Sequence, residues 1–150
     1  MGQTFGKARI RPAAKPFVNL PISCVNTLRS CVYEVAEGFG LTNDELKQIV
    51  QISLNEYSRL SGSSIDEASD ELFALFSSVD SPSSEMLIDS FEFLATICIC
   101  SGMTMDEKLH FIFTLFDFNE TSKLNINEAT LAFRSIVSGM SKISPTCRKP

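Results

Sequence analysis

The sequence of 150 residues lacks most of the patterns on which enzymes depend. It has a single histidine, His110, so a histidine-dependent catalytic triad or a histidine-rich metal site has almost nothing to be built from. No nucleophile elbow, phosphate-binding glycine loop or zinc motif occurs in it. No carboxylate pair stands in an evident acid–base environment. We therefore predict that the protein is not an enzyme.

Long apolar runs and disulfide-like cysteine patterns are also missing. No stretch of 18 apolar residues and no signal peptide occur, which predicts a cytoplasmic protein. The five cysteines are odd in number, and Cys98 and Cys100 are too close for a C-x-x-C site. In a reducing compartment they are expected to be small buried apolar residues.

Acidic residues are absent from the first 33 positions and from the last 22, whereas residues 34–128 hold all 18 of them. Pro12, Pro16 and Pro21 favour extended chain, so residues 1–21 are predicted to be a basic arm. Such an arm suits an anionic membrane or an acidic protein surface, and alternatively folds back on the body or stays solvated. The net charge of −5 gives no reason to expect a nucleic-acid partner.

Helical periodicity and capping patterns cover most of the rest of the chain. Apolar residues recur every three or four positions between residues 22 and 35, which predicts an amphipathic helix. Capping patterns at Thr42–Glu45, Ser64–Glu67 and Thr104–Glu107 predict the starts of three further helices.

The segment 117–128 has oxygen-bearing groups at the spacing of a twelve-residue calcium loop, in which positions 1, 3, 5, 7, 9 and 12 supply ligands. These positions are occupied by Asp117, Asn119, Thr121, the carbonyl of Lys123, Asn125 and Glu128.

An internal repeat flanks this loop. Phe76 and Asp80 match Phe113 and Asp117 at an offset of 37, and Ile88 and Glu92 match Leu124 and Glu128 at an offset of 36. Agreement on both sides of the loop predicts two related helix-loop-helix units.

These features resemble the EF-hand family, which includes calmodulin and calcineurin B. The resemblance implies an all-α fold in which two units pair through a short two-stranded contact between Ile88 and Leu124. It divides the chain into the arm (1–21), a degenerate helical pair (22–63), an EF-hand pair (64–140) and a tail (141–150). It also implies an apolar groove for a partner helix, lined by Phe73, Phe76, Phe91, Leu94, Phe113, Phe116, Leu131 and Phe133.

Two departures from the family pattern predict weak or absent Ca²⁺ binding at 117–128. Ser122 stands where the turn requires a positive φ and the family has glycine, which costs roughly 1 kcal/mol. Only Asp117 and Glu128 contribute ligand charge. Pro82 and one extra residue spoil the ligand register of the loop that begins at Asp80, so no binding is expected there.

The leading hypothesis is thus a non-catalytic EF-hand protein that docks an amphipathic segment of a partner. By analogy of architecture it would be a light-chain-like or structural subunit of a larger assembly, for example in the cytoskeleton or a cilium. The alternative is a Ca²⁺-responsive, membrane-associated adaptor of the calcineurin B or neuronal calcium sensor type, N-myristoylated at Gly2.

Overall fold

The computed structural model describes residues 10–36, 38–54, 62–77 and 86–144, and this part of the chain is mainly helical. The predictions for Gly2, for the loop residues 80–85 and for the tail from residue 145 lie outside the described residues. The α-helices are α1 (Ile22–Val35), α2 (Asn43–Leu54), α3 (Gly62–Phe76), α4 (Ser90–Cys100), α5 (Met105–Phe116) and α6 (Ile126–Ile143).

Local sequence signals explain where several of these helices begin. The predicted helix over 22–35 and the capping boxes at Thr42 and Thr104 are confirmed. The cap predicted at Ser64 is wrong, because α3 already begins at Gly62. In the second box the Thr104 hydroxyl accepts the amide of Glu107, and the Glu107 carboxylate accepts the amide of Thr104. Each box satisfies amide groups that have no partner inside the helix, which fixes the first turn.

The helices form three successive helix-loop-helix units: the first unit is α1 with α2, the second is α3 with α4, and the third is α5 with α6. The first two are joined by an antiparallel pair of two-residue strands, β1 (Gly40–Leu41) and β2 (Ile88–Asp89). Leu41 faces Ile88 in this register, and both side chains are buried. Helices α2 and α3 also pack on each other, so the contact crosses the predicted boundary at residue 63.

The predicted pairing of Ile88 with Leu124 is therefore wrong, because Leu41 is the partner of Ile88 and Leu124 lies in neither strand. Leu41, Ile88 and Leu124 each stand immediately before the residue that caps the following helix. All three are apolar, so the local sequence does not distinguish which two of the loops will pair. The packing of α2 on α3 brings the first two loops together.

Helix α4 is the centre of the molecule. Nine of its eleven residues are buried, since α1, α5 and α6 pack around it. Its residues are apolar on nearly every face, which is the composition expected of a helix enclosed on all sides.

The N-terminal segment is not an extended arm over the part that the structure describes. Residues Pro12–Phe17 form a 3₁₀-helix, and Ala14, Phe17 and Leu20 are buried against the body. The prediction of an extended basic arm is wrong for residues 10–21, because the burial of these apolar side chains outweighs the preference of the three prolines for extended chain.

None of the helices in the described ranges combines the length and the hydropathy required of a transmembrane span.

Candidate functional site

The segment that was predicted to bind calcium connects α5 to α6 and folds around the carboxylate of Asp117. One oxygen of this carboxylate accepts the amide of Ser122 at 2.9 Å, and the other accepts the amide of Thr121 at 3.2 Å. Glu120 and Ser122 have φ angles of 52° and 59°, so both are in the left-handed region. The bonds to Asp117 hold a backbone conformation that side chains with a Cβ rarely adopt.

The other end of the loop is held by Asn125 and Glu128, which form a reciprocal capping box at the start of α6. Glu128 Oε1 accepts the amide of Asn125 at 3.0 Å, and Oε2 accepts the amide of Phe118 at 2.8 Å. The Glu128 side chain is buried, and its two oxygens connect the beginning of the loop to its end. A carboxylate that accepts two amides in this way stabilises the loop with groups of the protein itself.

The remaining predicted ligands, Asn119, Thr121 and Lys123, are all exposed residues. The Thr121 hydroxyl donates to the carbonyl of Lys123 at 3.0 Å, which places the predicted fifth and seventh ligand positions side by side. Every predicted donor is an oxygen, and such a set suits a hard cation such as Ca²⁺.

These donors fit calcium chemically, but backbone amides compete for them. An ion that takes both oxygens of Glu128 has to displace the amides of Asn125 and Phe118. Only two of the predicted ligands carry charge. Among the described residues, no three His, Cys, Asp or Glu side chains are grouped as metal ligands.

An aromatic cluster that the sequence did not predict attaches this loop to the other two units. The ring of Phe118 lies 5.4 Å from that of Phe91 and 6.4 Å from that of Phe39, measured between centroids. Phe39 directly precedes β1, and Phe91 is in the first turn of α4. Contacts between aromatic rings at such distances add stability beyond the area that they bury. The third loop is therefore packed beside the strand pair without extending it.

The eight residues of the predicted partner groove do not line one open groove. Phe73, Phe76, Leu94 and Phe116 are buried in the core, and Phe91 and Phe113 are partly buried. Only Leu131 and Phe133 are exposed. The prediction is wrong for the buried residues, because α4 and the N-terminal segment cover the surfaces that a partner would need.

The middle of helix α6 buries small side chains and exposes large apolar ones. Its buried face includes Ala132, Ser135 and Gly139, and small residues there let α6 approach α4 closely. Phe133 and Val137 are 71% and 67% exposed. Ile126, which lies two helical turns before Phe133, is 81% exposed. The spacing of these three residues places them on one stripe of the helix, which we call the α6 stripe.

A partly buried ion pair holds the other end of α6. Lys142 Nζ lies 2.5 Å from Glu92 Oε1 and donates to the carbonyl of Phe76 at 3.2 Å. The hydroxyl of Ser138 donates to Glu92 Oε2 at 2.9 Å. Glu92 occupies the same helix position in the second unit as Glu128 in the third, three residues after the cap. In the second unit this carboxylate thus binds an ammonium group from α6.

The cysteines in the described ranges are buried, as the sequence predicted. Burial raises the pKa of the Cys98 thiol to about 12 and that of the Cys100 thiol to about 11. Thiols with such high pKa values are almost entirely protonated at neutral pH, and the thiolate is the nucleophile and the metal ligand. Cys98 and Cys100 are therefore unsuited to covalent catalysis or to soft-metal binding.

No protein-family model, curated protein or solved structure matches the chain.

Proposed function

We propose that the chain is a non-catalytic EF-hand-type protein that docks an amphipathic segment of a partner protein, as a light-chain-like or structural subunit of a larger assembly. Three helix-loop-helix units in succession support this proposal, since each has a capping side chain at the same place, at Thr42, Asp89 and Asn125. A cytoskeletal or ciliary assembly is the setting that we propose for it.

The observation that carries the proposal is the α6 stripe. Large apolar side chains normally face the core, yet in the middle of α6 the buried residues Ala132, Ser135 and Gly139 are small and the stripe faces solvent. Exposed apolar area of this kind marks surfaces that bind other molecules. Arg134 adjoins Phe133, and α6 has no acidic residue after Glu128, so an amphipathic helix with an acidic polar face is the segment that suits the stripe best.

Binding of such a segment can be measured with a fluorescein-labelled, 18-residue peptide that has leucines on one helical face and glutamates on the other. We expect saturable binding to the full chain by fluorescence anisotropy, and a loss of affinity of about tenfold or more in the variant Phe133→Ser/Val137→Ser, because the removed side chains form the contact.

The matched control is Thr130→Ser, which changes an exposed residue of α6 outside the three that define the stripe and leaves the apolar surface almost unaltered. The control should bind like the wild type. If the double variant binds the peptide as tightly as the wild type does, the α6 stripe is not the docking surface.

For calcium we propose one weak site at 117–128. Calorimetric titration should give at most one ion per chain, with a dissociation constant above about 10 μM, because the ligand set has two charges and Glu128 must exchange its amide partners for the ion. Glu128→Gln should abolish the binding. The matched control is Glu120→Gln, which removes an exposed charge from the same loop without touching a predicted ligand.

Cooperative uptake of two ions would contradict this proposal. It would favour the alternative of a Ca²⁺-responsive adaptor.

A further inference from the structure

The N-terminal segment of residues 10–20, which we call the strap, fills an apolar groove between α3, α4 and α6. Its side chains of Ala14 and Phe17 are 3% and 1% exposed, and Leu20 is 1% exposed. The groove is lined by Leu72 and Phe76 of α3, by Thr96, Ile97 and Cys100 of α4, and by Ile143 of α6.

The groove recognises the strap through a simple pattern. Ala14 and Phe17 are three residues apart, which matches the three residues per turn of a 3₁₀-helix and places them on one side. Leu20 follows the helix after Asn19, whose φ of 64° turns the chain, and it is buried as well. Pro12 and Pro16 have no amide hydrogen and so need no acceptor in the groove. A small, an aromatic and an aliphatic side chain at every third position are therefore the chemistry that this groove accepts.

Backbone bonds attach the strap to the body near its two ends. At one end the amide of Arg11 donates to the carbonyl of Ile143 at 2.8 Å. At the other end the amide of Asn19 donates to the carbonyl of Cys100, and the amide of Gly102 donates to the carbonyl of Leu20, both at 2.8 Å. Between strap and groove a cavity of about 10 Å³ remains, lined by Phe17 and Val18 on one side and by the groove on the other.

We propose that this groove is a second docking site, for a short apolar segment of a partner protein, and that the strap is an intramolecular occupant that the partner must displace. The partner segment has the same chemistry as the strap, with apolar side chains at every third residue. At its end it has a free amide for the carbonyl of Cys100 and a free carbonyl for the amide of Gly102. The inference shares with the proposed function only the premise that the chain is a docking protein, since the α6 stripe is a different surface.

Self-occupancy has a quantitative consequence for binding. A tethered segment competes at an effective concentration in the millimolar range. The apparent affinity for a partner is then the intrinsic affinity of the groove multiplied by the fraction of time for which the groove is free. A change that loosens the strap should therefore increase the affinity of the groove for a segment supplied from outside.

The test uses a fluorescein-labelled peptide with the sequence of residues 10–21, added to the full chain. We expect the variant Phe17→Ser to bind this peptide at least about tenfold more tightly than the wild type does, because its own strap no longer fills the groove. A peptide that carries the same Phe17→Ser change should not bind. The control variant Ile22→Ser alters an exposed apolar residue just beyond the strap and should bind like the wild type.

Circular dichroism establishes that Phe17→Ser keeps its helices, and Leu20→Ala is the milder variant for the same measurement. A folded variant that fails to bind the peptide, or a wild type that binds it equally well, would overturn the proposal.

Amide hydrogen exchange on the wild type decides the question even if both variants unfold. The amides of Asn19 and Gly102 should exchange at least about tenfold faster than those of Ile97 and Cys98 in α4, since a displaceable strap opens without global unfolding. Equal rates would show that the strap opens only when the whole protein does, which would refute the proposal. Loss of binding at the α6 stripe, with peptide binding in the groove retained, would reject the proposed stripe and leave this inference standing.

Discussion

Replacement of Gly139 by alanine is expected to destabilise the protein by about 2 kcal/mol. Gly139 lies at the crossing of α6 with α4, where an added Cβ would overlap the hydroxyl of Thr96 and lie 3.2 Å from the carbonyl of Glu92. Overpacking of this kind costs about 1–3 kcal/mol, and the bond from the Thr96 hydroxyl to the Glu92 carbonyl would also be strained. The better helix propensity of alanine returns only about 1 kcal/mol.

Urea unfolding followed by circular dichroism measures this loss. The variant Thr96→Ala/Gly139→Ala should recover part of it, because it removes the hydroxyl that the new methyl group meets. Thr130→Ala, on the exposed side of the same helix, should change the free energy of unfolding only slightly. A Gly139→Ala variant as stable as the wild type would mean that α6 does not approach α4 this closely.

The sequence predicted much of the local structure because local structure depends on nearby residues. The periodicity of residues 22–35 and the capping boxes at Thr42 and Thr104 are contained in segments of a few turns. The chain turn at Ser122 likewise follows from the spacing within one loop, and the structure has a positive φ there.

The pairing of the units could not be predicted in the same way. Leu41, Ile88 and Leu124 present equivalent apolar residues, and the choice between them depends on how α2 and α3 pack, which involves contacts between distant residues. The sequence did contain one usable signal that the prolines obscured. The spacing of Ala14 and Phe17 indicates one apolar side of a 3₁₀-helix and thus a buried segment.

Glu92 was predicted only as the counterpart of Glu128 in a loop that had lost its ligands. Its partner, Lys142, lies 50 residues away along the chain, and no local pattern connects the two. The structure gives the Glu92 carboxylate a cation from the protein itself. An ion pair between two residues of the protein therefore connects the second unit to α6.

Replacement of Lys142 by methionine is accordingly expected to be strongly destabilising, by about 2–4 kcal/mol. The methionine keeps most of the apolar stem of Lys142 but removes its charge. The Glu92 side chain is only 9% exposed, and of its two side-chain donors, Lys142 and Ser138, only the Ser138 hydroxyl remains. An uncompensated buried charge costs about 3–5 kcal/mol, and we lower this range because the Lys142 side chain is 28% exposed. The bond to the Phe76 carbonyl is lost as well.

A double-mutant cycle separates the ion pair from the general effect of each substitution. Glu92→Gln removes the charge but keeps an acceptor for Ser138, so the variant Glu92→Gln/Lys142→Met should be more stable than Lys142→Met alone. The matched control is Lys47→Met, which breaks the exposed pair of Lys47 with Asp70 and should shift the urea midpoint little, since water solvates both partners. If Lys142→Met behaves like Lys47→Met, the Glu92 carboxylate does not depend on the ammonium group, and α6 must be held to α4 by apolar packing alone.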